Sequence, residues 1–139
     1  MKNDPINSII FLFHCIFLCS CSSKVGNNNA FIRLNTCEHN FGTLQYKKET
    51  EHIFEFTNPG KTPLIITSVK TSCGCTAADW TKHPVKPGKS GQVTVKYDAA
   101  FPGVFQKTVT VHYNGKDSPV VLKISGQVEY PEDLEEKSE

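Results

Sequence analysis

Twice between Thr50 and Asp98 the chain places apolar residues at every second position. In Thr50–Thr57, His52, Phe54 and Phe56 fall on one face, and Glu51, Ile53, Glu55 and Thr57 on the other. In Ser90–Asp98, Val93, Val95 and Tyr97 alternate with Gln92, Thr94, Lys96 and Asp98. A period of two belongs to a strand with one buried face, whereas a helix needs a period near 3.6. The Phe face of the first run should be the buried one, because two phenyl rings remove far more apolar area from water than Ile53 alone.

The rest of the body follows the same grammar. Phe31, Ile32 and Leu34 open a first strand. Asn40-Phe41-Gly42 reads as a turn in which Gly42 supplies backbone freedom. Asn58-Pro59-Gly60-Lys61 is a second turn. Pro63–Lys70 is β-branched and nearly continuous at Leu64, Ile65, Ile66 and Val69, which predicts a more fully buried strand. It runs into Thr71-Ser72-Cys73-Gly74-Cys75-Thr76, and Ala77–Gly88 then reads as a long link. Pro84 and Pro87 forbid a regular helix there. Pro102-Gly103 turns the chain. Phe105, Val109, Val111 and Tyr113 share a face, with Lys107 at a rim, its stem packed and its ammonium in water. Asn114-Gly115-Lys116-Asp117 is a hairpin-type turn, and Val120, Leu122, Ile124 and Val128 line a last strand. The expected fold is therefore all-β. It is a single antiparallel β-sandwich of about seven strands over residues 30–128.

A chain of 139 residues leaves room for short appendages to one such domain. Ile9–Leu18 is apolar for about ten residues, the length of a signal-peptide core and half of what a spanning helix needs. Leu18-Cys19-Ser20-Cys21 resembles the bacterial lipobox. The resemblance implies cleavage before Cys21, lipid on its sulfur and acylation of the new amino terminus; residues 1–20 are then a lipoprotein signal peptide. Cys19 is the poorer candidate because bulky Leu18 would sit at the cleavage position. Several acyl chains give stable anchoring where one is marginal. Ser22 and Ser23, with no acidic residue after Cys21, resemble the enterobacterial pattern for outer-membrane sorting, which implies an anchor facing the periplasm. Residues 21–29 are polar and Asn-rich and read as a flexible tether. Residues 129–139 read as a disordered acidic tail.

Basic residues outnumber acidic ones in the body, but they are scattered, with only Lys47 and Lys48 adjacent. Nucleic-acid binding wants a clustered patch, so none is expected. No Gly-x-Ser-x-Gly, phosphate-cradling Gly loop or carboxylate pair flanking a cleft is present.

Several motifs fall in a recognisable order. Phe41-Gly42-Thr43-Leu44 is followed by Phe54-Glu55-Phe56-Thr57-Asn58-Pro59-Gly60, Pro63-Leu64-Ile65-Ile66 and Ser72-Cys73-Gly74-Cys75-Thr76. Then come Val85-Lys86-Pro87-Gly88-Lys89-Ser90-Gly91, Val93-Thr94-Val95-Lys96-Tyr97-Asp98, Gly103-Val104-Phe105-Gln106-Lys107-Thr108 and Leu122-Lys123-Ile124-Ser125-Gly126. Over Phe31 to Val128 this set resembles the bacterial family called domain of unknown function 1573. The resemblance implies an immunoglobulin-type sandwich related in architecture to the major sperm protein and ASH domains, often exported or lipid-anchored. It brings no catalytic residue. Cys73-Gly74-Cys75 belongs to the shared motif and Cys37 does not.

Those three cysteines carry the candidate chemistry. Cys73 and Cys75 bridge each other in a small ring, with Gly74 easing the closure, or Cys37 pairs with one of them and pins the first strand to the loop. A thiol–disulfide role would need a stabilised thiolate, for which Lys70, Lys82 or His83 would supply positive charge. The usual redox spacing, however, is Cys-x-x-Cys at a helix start. A soft-metal role, for copper or zinc, would need Cys37, His39 or His83 to complete the ligand set. His39, His52, His83 and His112 are scattered, and His52 reads as a strand-end residue. Trp80 plugs an end of the sandwich or serves as a binding anchor.

The function expected from these readings is a non-enzymatic, lipid-anchored envelope protein that binds a protein partner. Its contact region is Cys73–Gly88, with Gly74, Thr76, Trp80 and His83 in the binding loop. No cofactor or metal is called for. The rivals are thiol-redox or metal handling through Cys73 and Cys75, and a purely structural envelope role.

Overall fold

The computed structural model describes residues 30–131. The signal peptide, Cys21, the tether and residues 132–139 of the tail lie outside the described residues. Eight strands follow one another: β1 (Arg33–Leu34), β2 (Glu38–Leu44), β3 (Thr50–Thr57), β4 (Ile66–Thr71), β5 (Thr76–Trp80), β6 (Ser90–Tyr97), β7 (Gly103–Tyr113) and β8 (Val120–Val128). They form two four-stranded sheets, ordered β1-β3-β6-β5 and β2-β8-β7-β4.

The alternating runs build the core as their pattern requires. Phe54, Phe56, Val93, Val95 and Tyr97 of the first sheet face Phe105, Val109, Val111, Leu122, Ile124 and Val128 of the second, and all are buried. Ile53 points outward and is 44% exposed. Tyr97 stacks on Phe105 across the two sheets, with ring centroids 4.0 Å apart. Each fully buried aliphatic or phenyl side chain contributes about 1.5–3 kcal/mol of transfer free energy. Gly91 completes the layer: a Cβ there would come within 2.5 Å of the Phe56 ring.

Four local expectations need correction. Asn40-Phe41-Gly42 is not a turn but lies inside β2, at a bulge where the pairing with β8 shifts between Asn40 and Thr43. Gly42 adopts φ +69°, and its N–H donates to Asn40 Oδ1 at 2.8 Å, so the glycine's freedom serves a kinked strand. Pro63–Lys70 is not buried throughout: Leu64 and Ile66 are buried while Ile65 is 40% exposed, and the strand proper begins at Ile66. Ala77–Gly88 is not wholly a link, because its first residues belong to β5, which pairs with β6 along its length. Finally, one pair departs from the antiparallel pattern: β2 runs parallel to β8.

The strand orders place β1 and β2 at one edge of the sandwich and β4 and β5 at the other. At each edge the chain leaves one sheet and joins the other. Asn58 organises the end where β3 stops. Fully buried, it donates through Nδ2 to the carbonyls of Thr62 (2.8 Å) and Val85 (2.9 Å), and Oδ1 accepts from Gly60 N–H. That side chain ties the segment after β5 to the sandwich, as does the Leu64–Val85 bridge.

Candidate functional site

The β4–β5 crossing is a hydrogen-bonded corner. Ser72 N–H donates to Thr108 O and Thr108 N–H to Ser72 Oγ, which hold the end of β4 on β7. Thr71 Oγ1 and Thr76 N–H both donate to the Cys73 carbonyl. Asp98 N–H donates to the Cys75 carbonyl and fixes the start of β5 on β6. Cys73 and Cys75 are disulfide-bonded to each other. Cys73 Sγ also lies 3.3 Å from the hydroxyl of buried Thr76. Gly74 is exposed at the tip, and a Cβ there would meet nothing within 4 Å.

This pairing decides between the alternatives for the cysteines. Cys37 is not joined to the corner; it is free and exposed at the opposite crossing, between β1 and β2. Among the described residues, no three His, Cys, Asp or Glu side chains are grouped to hold a metal ion, so Cys37, His39 and His83 are not gathered around the Cys73–Cys75 pair. Lys82 is engaged elsewhere as well.

Trp80, the last residue of β5, packs half-buried against the core. The Lys82 ammonium lies over its ring, 3.0 Å from the centroid, and 2.9 Å from Asp79 Oδ1. Asp79 is fully exposed, and its carboxyl is held below the usual range. The cause is first the Lys82 hydrogen bond, then the Trp80 backbone N–H and the Lys82 charge. Carboxylate and indole together therefore form a cation site that the chain fills with its own lysine.

Around this point the outer face of the first sheet hollows into a groove of about 420 Å³, lined by Glu55, Asp79, Trp80, Thr81, His83 and Gln92 among others. Thr81 extends β5 by one rung: its N–H donates to Gln92 O, and Gln92 N–H donates to its Oγ1. Trp80 and His83 thus meet in one groove. Thr76 is buried beneath the corner, and Gly74 sits at the far end of β5. Glu55, Asp79, Thr81 and Gln92 were not singled out in the sequence; the signal that finds them is the alternation of Thr76, Ala78 and Trp80, which marks β5 as a strand.

A second polar cluster lies at the other edge. His39 on β2 and His52 on β3 stack with centroids 3.6 Å apart and planes 8° from parallel. Phe41 and Phe54 meet them edge-on at 4.6 and 4.7 Å. His52 is thus a cross-sheet packing residue, and its Nε2 is buried with no hydrogen-bond partner among the described residues. Burial, and then the His39 charge, lower its pKa below 6.5.

A family model described as "Protein of unknown function (DUF1573)" matches residues 32–128. No curated protein matches the sequence. Among solved structures, a protein of unknown function from Porphyromonas gingivalis W83 aligns with a TM-score of 0.63 and 20% identity over 70% of this chain. The alignment covers 46% of that protein, so the chain spans about half its length. The ASH/PapD-like domain 7 of human CEP192 aligns with a TM-score of 0.59 and 12% identity, covering 75% of this chain and 88% of that one. The Vibrio cholerae VesB protease aligns with a TM-score of 0.55 and 17% identity, over 74% of this chain and 32% of that one. At such identities the shared property is the immunoglobulin-like fold.

Proposed function

The chain belongs to the family whose model spans residues 32–128, and we propose that it acts as a non-enzymatic binding module for a protein partner, held at a bacterial envelope membrane by lipid on Cys21. The observation that carries this reading is the groove beside β5. It sets a carboxylate–ammonium pair and several uncharged donors beside the half-buried ring of Trp80. Aromatic anchors with a polar rim are the usual make-up of protein contact sites. Loops and edges of a rigid sandwich are where such folds place them. Of the groove's lining, Asp79, Trp80, Thr81 and His83 fall within the Cys73–Gly88 contact region read from the sequence, whereas Glu55, Ser90, Gly91, Gln92 and Thr94 belong to β3 and β6.

A photo-crosslinking residue at Thr81 in the full chain, expressed in cells, tests the contact. The expected outcome is a discrete adduct that the same residue at exposed Lys116 does not give. Indistinguishable adducts at the two positions would remove the groove from the proposal. The anchor is tested separately, by mass spectrometry of the mature amino terminus. An unmodified terminus would remove the lipid anchor from the proposal without touching the groove.

A further inference from the structure

The two sheets have four edge strands, and three of them are guarded. β1 is two residues long. β2 is bulged between Asn40 and Thr43, and β4 is irregular between Ile66 and Ser68. Short edges and bulges are the devices by which native sheets avoid pairing with other chains. The fourth edge, β5, has neither: it runs five residues in unbroken register against β6, from Thr76 opposite Tyr97 to Trp80 opposite Val93.

Which backbone groups face outward follows from the hydrogen bonds at its two ends. The Cys75 carbonyl accepts from Asp98, and Thr81 donates to Gln92, so odd-numbered positions bond inward to β6. Antiparallel pairs alternate, which turns the even positions toward the open edge. The Thr76 N–H is taken by the Cys73 carbonyl. That leaves the N–H and C=O of Ala78, with the Thr76 and Trp80 carbonyls on either side, as a template for another strand. Ala77 and Ala78 raise no side-chain barrier beside it.

We propose that β5 accepts an extended segment of another polypeptide as an added strand centred on Ala78, with a Lys or Arg of that segment set beside Asp79. This inference rests on the binding-module reading and names the class of partner. The choice of a basic side chain comes from the site's own occupant: Lys82 shows where a cation sits, on the Asp79 carboxylate and over the Trp80 ring. Glu55, in the same groove, has no cation partner among the described residues and adds to the negative character. Self-pairing of two β5 strands about Ala78 is disfavoured, because it would bring the two Asp79 carboxylates diagonal to each other.

The test is selection of random ten-residue peptides on the immobilised full chain, followed by affinity and hydrogen-exchange measurements on the enriched peptides. Peptides with β-branched residues around a Lys or Arg should be enriched, and they should slow exchange of the Ala78 amide. Ala78→Pro removes an outward N–H without touching a bond to β6. It should weaken binding by about two- to tenfold, the effect of losing one main-chain hydrogen bond. Asp79→Lys, which leaves the backbone alone, should switch the enriched peptides from basic to acidic.

Peptides that bind the Ala78→Pro and Asp79→Lys chains as well as the parent, but lose affinity with Trp80→Ala, would overturn strand addition and leave the groove as the binding site. No enrichment at all would overturn the binding-module reading as well. A dimer of the parent chain that Ala78→Pro abolishes would make a second copy the occupant and reject the basic segment.

Discussion

At one edge of the sandwich the chain passes from β4 to β5 through a disulfide. At the other it passes from β1 to β2 through a cysteine with no partner among the described residues. The topological task is the same, since a strand must leave one sheet and enter the other without exposing the core between them. The first crossing is held by a covalent clamp backed by Thr71, Ser72 and Thr76. The second is held by packing: His39 and His52 stack across the sheets between two phenyl rings, and Lys123 N–H donates to the Cys37 carbonyl. The clamped corner stands next to the regular, open edge of β5. The packed crossing stands next to guarded strands. Rigidity has thus been placed where the backbone is left free to pair, which is consistent with a binding edge held in shape before a partner arrives.

The packed crossing should break more easily by truncation than the clamped one. Phe54 is fully buried and supports the His52 ring edge-on. Phe54→Ala should cost about 3–5 kcal/mol, read as a shift in the denaturant midpoint. The double change Cys73→Ser with Cys75→Ser should cost less. A bridge that closes so short a loop restricts the unfolded chain by only about 1–2 kcal/mol. If the double serine variant were the more damaged of the two, the corner would be holding the sandwich together and not merely shaping its edge.

The legibility of these two regions differs for physical reasons. The central strands were readable because burial on one face forces a period of two, as in Phe54/Phe56 and Val93/Val95/Tyr97. β5 was harder to read. Thr76-Ala77-Ala78-Asp79-Trp80 lacks a β-branched run, its larger side chain only half-buries, and Pro84 and Pro87 made the whole stretch look like a link. Asn40-Phe41-Gly42 has turn composition because a bulge needs the same positive φ that a turn does. The His39–His52 stack was out of reach, since periodicity tells which face a residue is on but not what the opposite sheet sets against it. The family resemblance supplied the fold and its motif order, but left open which cysteines pair.

The third contrast is with pH. His52 is harder to protonate in the folded protein than in the unfolded chain, because of burial and then the neighbouring His39. Above about pH 6.5, the unperturbed value, both states are neutral at this position and stability is complete. As the pH falls through that value the unfolded chain takes up a proton that the folded one resists, so stability declines until the folded-state pKa is passed. Denaturant midpoints between pH 7.5 and pH 5 should therefore fall, and His52→Phe should flatten the part of the slope that His52 contributes. The double serine variant should keep the parent slope, because the clamped corner has no group that titrates there. A slope that vanished with the disulfide instead would mean that the two crossings are coupled.

The smallest effect should come from Cys37→Ser. Cys37 is exposed, so the change removes no packed volume, and surface substitutions of this kind stay within about 0.5 kcal/mol. The two crossings lie at opposite edges of four-stranded sheets, three interstrand spacings of about 4.8 Å apart. A disulfide needs Cα atoms closer than about 7 Å. Cys37 therefore cannot reach Cys73 or Cys75 without unfolding, and its removal should leave the Cys73–Cys75 bridge intact in a peptide map of the native protein. Combined with the double serine change, its effect should simply add, as expected of sites with no shared partner. A change in bridge occupancy, or a departure from additivity beyond about 0.5 kcal/mol, would show that Cys37 exchanges with the corner and that the two edges are not independent.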